Sequence, residues 1–328
     1  MSINKYLMEK FKFILFICAF LCLFEVTYSA TNLTTNDAAI VVSDNNTALL
    51  GYSVSYLGNI TPGLSNFYAI SAPFDGSSGT FDSGKLYLFE ESMLSANIEA
   101  SQANIIISGS TRDEEMGMFI AAGGDLDKDG LNDFVVLNPN LSSNQISIYL
   151  GKYYNNWTNT TIVKISEPNL GLEQTTNRYL ASQTASISGD LNGDGYDDLV
   201  IGLTRNTDST NPSGKVVIIY GSRDIESISS NLITAANHIV SGQSANDGFG
   251  YSVSILNDIN QDGYDELLVG AFDESSEQGN FVGLQYGAFT SIFPVSGNET
   301  TLYTYADMDA LFFSDTSGTD GFGQFVQG

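Results

Sequence analysis

Three times the chain repeats one nine-residue pattern in which oxygen-bearing side chains occupy alternate positions around a glycine. The stretches are Asp125 to Asp133, Asp190 to Asp198 and Asp258 to Glu266. Positions 1, 3 and 5 are Asp125, Asp127 and Asp129 in the first, Asp190, Asn192 and Asp194 in the second, and Asp258, Asn260 and Asp262 in the third. Position 6 is Gly130, Gly195 or Gly263, where the backbone must turn sharply, and position 9 is Asp133, Asp198 or Glu266. A hard cation such as calcium takes about six to eight oxygens at about 2.3–2.6 Å, and a short loop that folds its carboxylates inward supplies most of them. The backbone carbonyls of Leu131, Tyr196 and Tyr264, at position 7, complete the expected donor set. One such stretch reads equally well as a solvated Asx-rich turn. Three with identical spacing predict three calcium loops.

Helix–loop–helix calcium sites need a bidentate carboxylate at position 12. Here that position is Val136, Ile201 and Val269. Each loop therefore runs into an apolar β-strand, and the helical reading fails.

Counted from these anchors, the loop starts Asn59, Asp125, Asp190 and Asp258 stand 66, 65 and 68 residues apart. A period of this size marks a repeated structural unit. Each unit opens on a strand starting at Leu50-Gly51, Met116-Gly117 or Phe249-Gly250, with Ala181-Ser182 in the corresponding place of one repeat and Phe322-Gly323 opening another near the end. Further strands are expected at Phe134–Leu137, Leu199–Ile201 and Leu267–Val269, then at Lys85–Phe89, Gln145–Tyr149, Lys215–Tyr220 and Phe281–Tyr286. Shorter fourth strands are expected at Ile105–Gly109, His238–Gly242 and Leu311–Ser314. Four short strands per repeat without an amphipathic helix predict an all-β fold, a β-propeller of four-stranded blades with the acidic loops between first and second strands. The first repeat puts Asn59, Thr61, Gly63, Ser65 and Phe67 at the ligand positions and should hold no ion.

Lys and Arg number 12 against 38 Asp and Glu, a net charge of −26, which excludes nucleic acid and anionic membrane as electrostatic partners. With 42% hydrophobic residues the chain has enough apolar material for a core. Residues 1–30 read as a secretory signal peptide: Lys5, Lys10 and Lys12 precede the apolar run Phe13–Phe24, which is too short to span a bilayer. Cys18 and Cys22 lie in that run, so no disulfide framework is expected in residues 31–328. Sequons at Asn32, Asn45, Asn59, Asn140, Asn156, Asn159 and Asn298 fit a eukaryotic secretory route and an extracellular or cell-surface glycoprotein.

The motifs Phe249-Gly250, Asp258–Glu266 and Gly270-Ala271, in that order, resemble the FG-GAP repeats of integrin α-subunit propellers, over roughly residues 33–328. The resemblance implies a seven-bladed ring, calcium loops on one face, partner contacts on the other, and adhesion beside a β-subunit. Segment 38–43 is then the strand that completes the last blade and closes the ring. At about 65 residues per blade some four and a half blades are expected, in repeats of about 44–104, 105–170, 171–236, 237–310 and 311–328. The chain reads as a fragment, any membrane attachment lying downstream. No catalytic constellation is expected, since His238 is the single histidine and the clustered carboxylates belong to the loops. The alternative is the propeller portion of a secreted hydrolase or lectin, as in phospholipases D that act on glycolipid anchors. With the repeats starting straight after the leader, binding is the expected class.

Overall fold

Runs of four to eight residues rich in Val, Ile, Leu and Phe, bounded by Gly, Asn and Asp, dictate most of the architecture, because such runs pair laterally and turn at their ends. The computed structural model describes residues 42–43, 49–76, 80–94, 98–139, 144–151, 162–166, 184–203, 214–242, 248–271, 281–285, 301–304 and 310–313. The leader, the pair Ala181-Ser182, residues 322–326 and the sequons at Asn32, Asn45, Asn140, Asn156, Asn159 and Asn298 lie outside these residues. Among the described residues no helix is long and apolar enough to cross a membrane.

In chain order the strands are β1 (Val42–Ser43), β2 (Val54–Gly58), β3 (Phe67–Ala72), β4 (Lys85–Glu90), β5 (Ile98–Glu99) and β6 (Ile105–Ser108). Then come β7 (Phe119–Gly124), β8 (Asp133–Pro139), β9 (Asn144–Tyr149) and β10 (Ile162–Ser166). They are followed by β11 (Thr184–Ser186), β12 (Leu199–Leu203), β13 (Lys215–Ile219) and β14 (His238–Ser241). The last are β15 (Phe249–Leu256), β16 (Glu266–Ala271), β17 (Phe281–Gln285), β18 (Thr301–Thr304) and β19 (Ala310–Phe313). They form four antiparallel meanders, β2-β3-β4-β6, β7-β8-β9-β10, β11-β12-β13-β14 and β15-β16-β17-β19, which are the blades of a β-propeller. Counted by pairing, β6 and β14 close the blades that begin at β2 and β11. The hydrogen bonds of β6 to β4 and of β14 to β13 make them the fourth strands that the sequence predicts at Ile105–Gly109 and His238–Gly242.

The strands inside a blade are apolar on both faces, as a blade sandwiched between neighbours requires. In β12, Leu199, Ile201 and Leu203 enter one cluster with β8, β9 and β10, while Val200 enters another with β15 and β16. In β8, Phe134 and Val136 face the first blade, Phe134 stacking at 4.6 Å and 1° on Tyr149, its cross-strand neighbour in β9, while Val135 and Leu137 face the third.

Two of the opening strands start later than the sequence suggested, while β15 starts at Phe249 as expected. Met116-Gly117 precedes β7, where it forms a step between blades, and Leu50-Gly51 precedes β2. Met116 and Phe249 bridge in parallel to Gly84 and Gly214, just before the third strand of the preceding blade. A Cβ at Gly84 or Gly214 would overlap the Met116 or Phe249 backbone, and both glycines have positive φ, +80° and +82°. Among the elements not anticipated are β5, β10, β18 and one helical turn. β10 completes the second blade, with Val163 and Ile165 buried around the exposed Lys164. β18 lies in the connection between the third and fourth strands of its own blade and pairs in parallel with β14, the outer strand of the blade before. The parallel pair β1 with β5 repeats this arrangement, since β5 lies in the equivalent connection of the first blade. β1 thus pairs with β5 as β14 pairs with β18. A single helical turn, α1 (Leu232–Ala235), is capped by Asn231, whose side chain accepts from the Thr234 N–H.

Candidate metal loops

Each acidic stretch joins the first strand of a blade to the second, at one end of the sheet: β7 to β8, β11 to β12 and β15 to β16. The three loops fold alike because their own carboxylates collect their own amides. The position-1 carboxylate accepts the position-5 N–H, at 3.0 Å for Asp125, 3.2 Å for Asp190 and 3.0 Å for Asp258. Its second oxygen accepts the glycine N–H at position 6, at 2.9, 2.6 and 2.9 Å. Position 3 also accepts from position 5, and position 5 accepts the position-7 N–H of Leu131, Tyr196 and Tyr264. The turn needs left-handed backbone at position 4 (Lys128, Gly193, Gln261) and position 6, where φ is +88°, +85° and +93°. Gly130, Gly195 and Gly263 take that conformation without the penalty a Cβ brings.

Carboxylate oxygens of Asp125, Asp127 and Asp133 come within 4.8 Å of one another, as do those of Asp258, Asp262 and Glu266. Asp190, Asn192, Asp194 and Asp198 occupy the same loop positions with the same backbone bonds. Hard oxygen donors crowded on one small loop fit a divalent cation such as calcium. Asp129, expected as a fourth carboxylate ligand of the first loop, is exposed and lies outside this group, its carboxylate accepting the Leu131 N–H.

Position 9 has a second occupation that the sequence did not suggest. Asp133 accepts the Leu126 N–H at 2.6 Å and the Gly151 N–H at 2.7 Å; Asp198 accepts those of Leu191 and Gly221 at 2.8 and 2.9 Å. Glu266 accepts the Ile259 N–H at 2.8 Å. All three are buried. Burial pushes the Asp133 carboxyl up to about 8 against the opposing effect of its two N–H donors, and Asp127 and Asp125 add to the rise. Asp198 is pushed up to about 8 for the same reasons, burial foremost, with Asp190 and Asp194 as its charged neighbours. Glu266 is also raised, mainly by burial. Position 2 anchors the first two loops from the other side, Leu126 and Leu191 being buried in the clusters between blades, whereas Ile259 of the third loop is exposed.

The first repeat departs as expected. Phe67 stands where the position-9 acid would be and is buried in the core, Thr61 is buried, and no carboxylate occupies the loop. His238 is buried in β14 and meets the Tyr220 ring edge-on at 5.4 Å.

Comparison with known proteins agrees with this geometry. The family model described as FG-GAP-like repeat matches residues 125–201, and that of the FG-GAP repeat matches residues 184–219 and 249–282, so the matches fall on the acidic loops and the strands around them. Integrin alpha-PS2 of Drosophila melanogaster is 27% identical over 187 residues, 55% of this chain and 12% of that protein. Phosphatidylinositol-glycan-specific phospholipase D of Bos taurus is 37% identical over 112 residues, 33% of this chain and 13% of that protein. The human phospholipase of the same name is 35% identical over 109 residues, 33% of this chain and 13% of that protein. The chain thus spans about an eighth of the length of these relatives. The chain carries FG-GAP repeats over residues 125–219 and 249–282, folded as β-propeller blades, and across these repeats it resembles integrin α subunits.

Proposed function

We propose that this chain is an extracellular calcium-stabilised binding module that acts in cell adhesion in the manner of an integrin α subunit. One observation carries the reading: three loops share one pattern of backbone hydrogen bonds at the same end of their blades, and in two of them three carboxylates lie within 4.8 Å of one another. Asp125, Asp127, Asp129 and Asp133 would hold one ion, with the Leu131 carbonyl. Asp190, Asn192, Asp194, Asp198 and the Tyr196 carbonyl would hold a second, and Asp258, Asn260, Asp262, Glu266 and the Tyr264 carbonyl a third. When bound, calcium supplies positive charge that offsets the carboxylate repulsion, and its role is structural. The loop residues fix the turn between first and second strands, and in the first two loops that turn carries the position-2 residue, Leu126 or Leu191, into the seam between blades.

The partner surface is the opposite end, formed by connections from second to third strand and from blade to blade. There Phe81 is 59% exposed and Arg112 lies 5.3 Å from its ring centroid. An exposed aromatic beside an exposed cation is the kind of anchor protein partners use. The expected partner is a β-like subunit or a protein ligand, and the expected place is the cell surface or extracellular space. Co-secretion with an integrin β subunit tests this. Calcium-dependent co-purification, weakened by Phe81→Ala and Arg112→Ala, supports it; no association in calcium refutes it.

The phospholipase relatives favour a second reading, in which the blades serve a secreted hydrolase. No catalytic constellation stands out among the described residues, so the test is an assay of the whole protein for cleavage of glycosylphosphatidylinositol anchors.

A further inference from the structure

The loop position just before the buried acid, position 8, is occupied by Asn132, Asp197 or Asp265, and each reaches across a seam between blades. The Asp197 N–H donates to the Asp125 carbonyl at 3.3 Å, and its Oδ2 accepts the Asp125 N–H at 2.7 Å. The Asp265 N–H donates to the Asp190 carbonyl at 3.0 Å, and its Oδ2 accepts the Asp190 N–H at 2.8 Å. Its other oxygen accepts the N–H of Asp258, the first residue of its own loop, at 2.8 Å. Asp125 and Asp190 are the position-1 residues whose carboxylates gather the amides of their loops. The position-8 side chain of one blade therefore clamps the residue around which the preceding loop is organised.

The seat for this clamp is cut by glycine. A Cβ at Gly189 would stand 2.6 Å from Asp265 Oδ2, one at Gly124 would stand 3.2 Å from the Asp197 Cβ, and one at Gly58 would overlap the Asn132 amide. Residue type follows the neighbour. Asp197 and Asp265 abut acidic loops, whereas Asn132 abuts the carboxylate-free loop at Asn59, where only its N–H to the Asn59 carbonyl, at 2.8 Å, is kept. Adding a carboxylate beside three or four others is unfavourable unless a cation is shared by the assembly. A second contact tightens the same seams: Lys128 Nζ lies 5.2 Å from the Tyr196 ring centroid, and a Cβ at Gly193 would stand 2.5 Å from the Tyr264 ring.

We propose that Asp197 and Asp265 are positioning residues, each holding the first ligand of the preceding blade's loop, so that the first and second ion sites are each completed by two blades. The proposal rests on the calcium reading of the loops. Outer-sphere partners of metal ligands typically change affinity by about 10-fold to 100-fold when removed.

The test uses the secreted chain and calcium alone, with affinities from titration calorimetry and ion counts from equilibrium dialysis, well below the melting temperature. Asp262→Ala removes a ligand of the third loop and leaves the first two to titrate. Adding Asp265→Ala to that background should keep two ions and raise one dissociation constant about 10-fold, the other staying put. In parallel, Asp197→Ala in an Asp194→Ala background should weaken the first loop and spare the third. If one pair fails to fold by circular dichroism, the other decides. A purely structural role for position 8 would lower the melting temperature in chelator and leave both isotherms superimposable; that result overturns the proposal and leaves the calcium reading standing. No calcium bound by the unmodified chain would end both.

Discussion

Asp127 and Asp133 both belong to the first acidic loop, yet the structure gives them different work, and calcium removal should separate them. Asp133 is buried and takes two backbone amides, Leu126 at 2.6 Å and Gly151 at 2.7 Å. Asp133→Ala leaves both without their acceptor whatever the protonation of the carboxyl. An unsatisfied buried donor costs about 1–3 kcal/mol, so the variant should lose about 2–6 kcal/mol even in chelator. Asp127 accepts the Asp129 N–H at 3.2 Å, and that amide also donates to Asp125 at 3.0 Å, so it keeps an acceptor when Asp127 is truncated. Asp127→Ala should therefore lose under about 1 kcal/mol in chelator and show its main deficit only when calcium is present. Urea melts of both variants with saturating calcium and with excess chelator measure the four values. Equal losses for the two variants in chelator, or an Asp133→Ala chain as stable as the parent there, would refute the assignment of position 9 as the loop's backbone anchor.

Phe134→Ala removes a wholly buried ring stacked on Tyr149 between the first two blades and should cost about 3–5 kcal/mol by denaturant titration. Gly214→Ala should destabilise independently of calcium, because the new methyl overlaps the Phe249 backbone at φ +82°; a melting temperature equal to the parent's would show that the blades can part there. His238, buried against Tyr220, has its pKa lowered to about 4 by desolvation from an ordinary 6.5. The unfolded chain then binds the proton first, so His238 should favour the fold above pH 6.5, and stability should fall by up to about 3 kcal/mol as the pH drops from 6.5 towards 4. His238→Leu should flatten that part of the stability profile; an unchanged profile would show that the imidazole is solvated.

The acidic loops were legible because calcium-type ligand spacing is local: alternate oxygens and a glycine at fixed offsets survive in one dimension. The second and third strands were legible as apolar runs such as Leu199–Leu203, although the run alone does not say that Leu199 and Val200 face different neighbours. What escaped was whatever depends on the next blade. Met116-Gly117 reads as the start of a strand, but a bridge to Gly84 takes it. Asp197 and Asp265 look like spare acids beside the ligands until Asp125 and Asp190 are seen across the seam. β10 carries an alternating signal in Val163-Lys164-Ile165, too short to stand out without its partner β9. Asp133 and Asp198 read as ligands from spacing alone, and their role as acceptors for Gly151 and Gly221 needs the third strand in place.

Thermal unfolding of the secreted chain in calcium and in chelator, paired with a count of ions by equilibrium dialysis, tests the central claim most directly. Each site adds about 2.7 kcal/mol at a calcium concentration 100 times its dissociation constant. Three bound ions and a large downward shift on chelation are the predicted result. No bound ions and coincident melting curves would contradict it, and the acidic loops would then be turns held by their own hydrogen bonds.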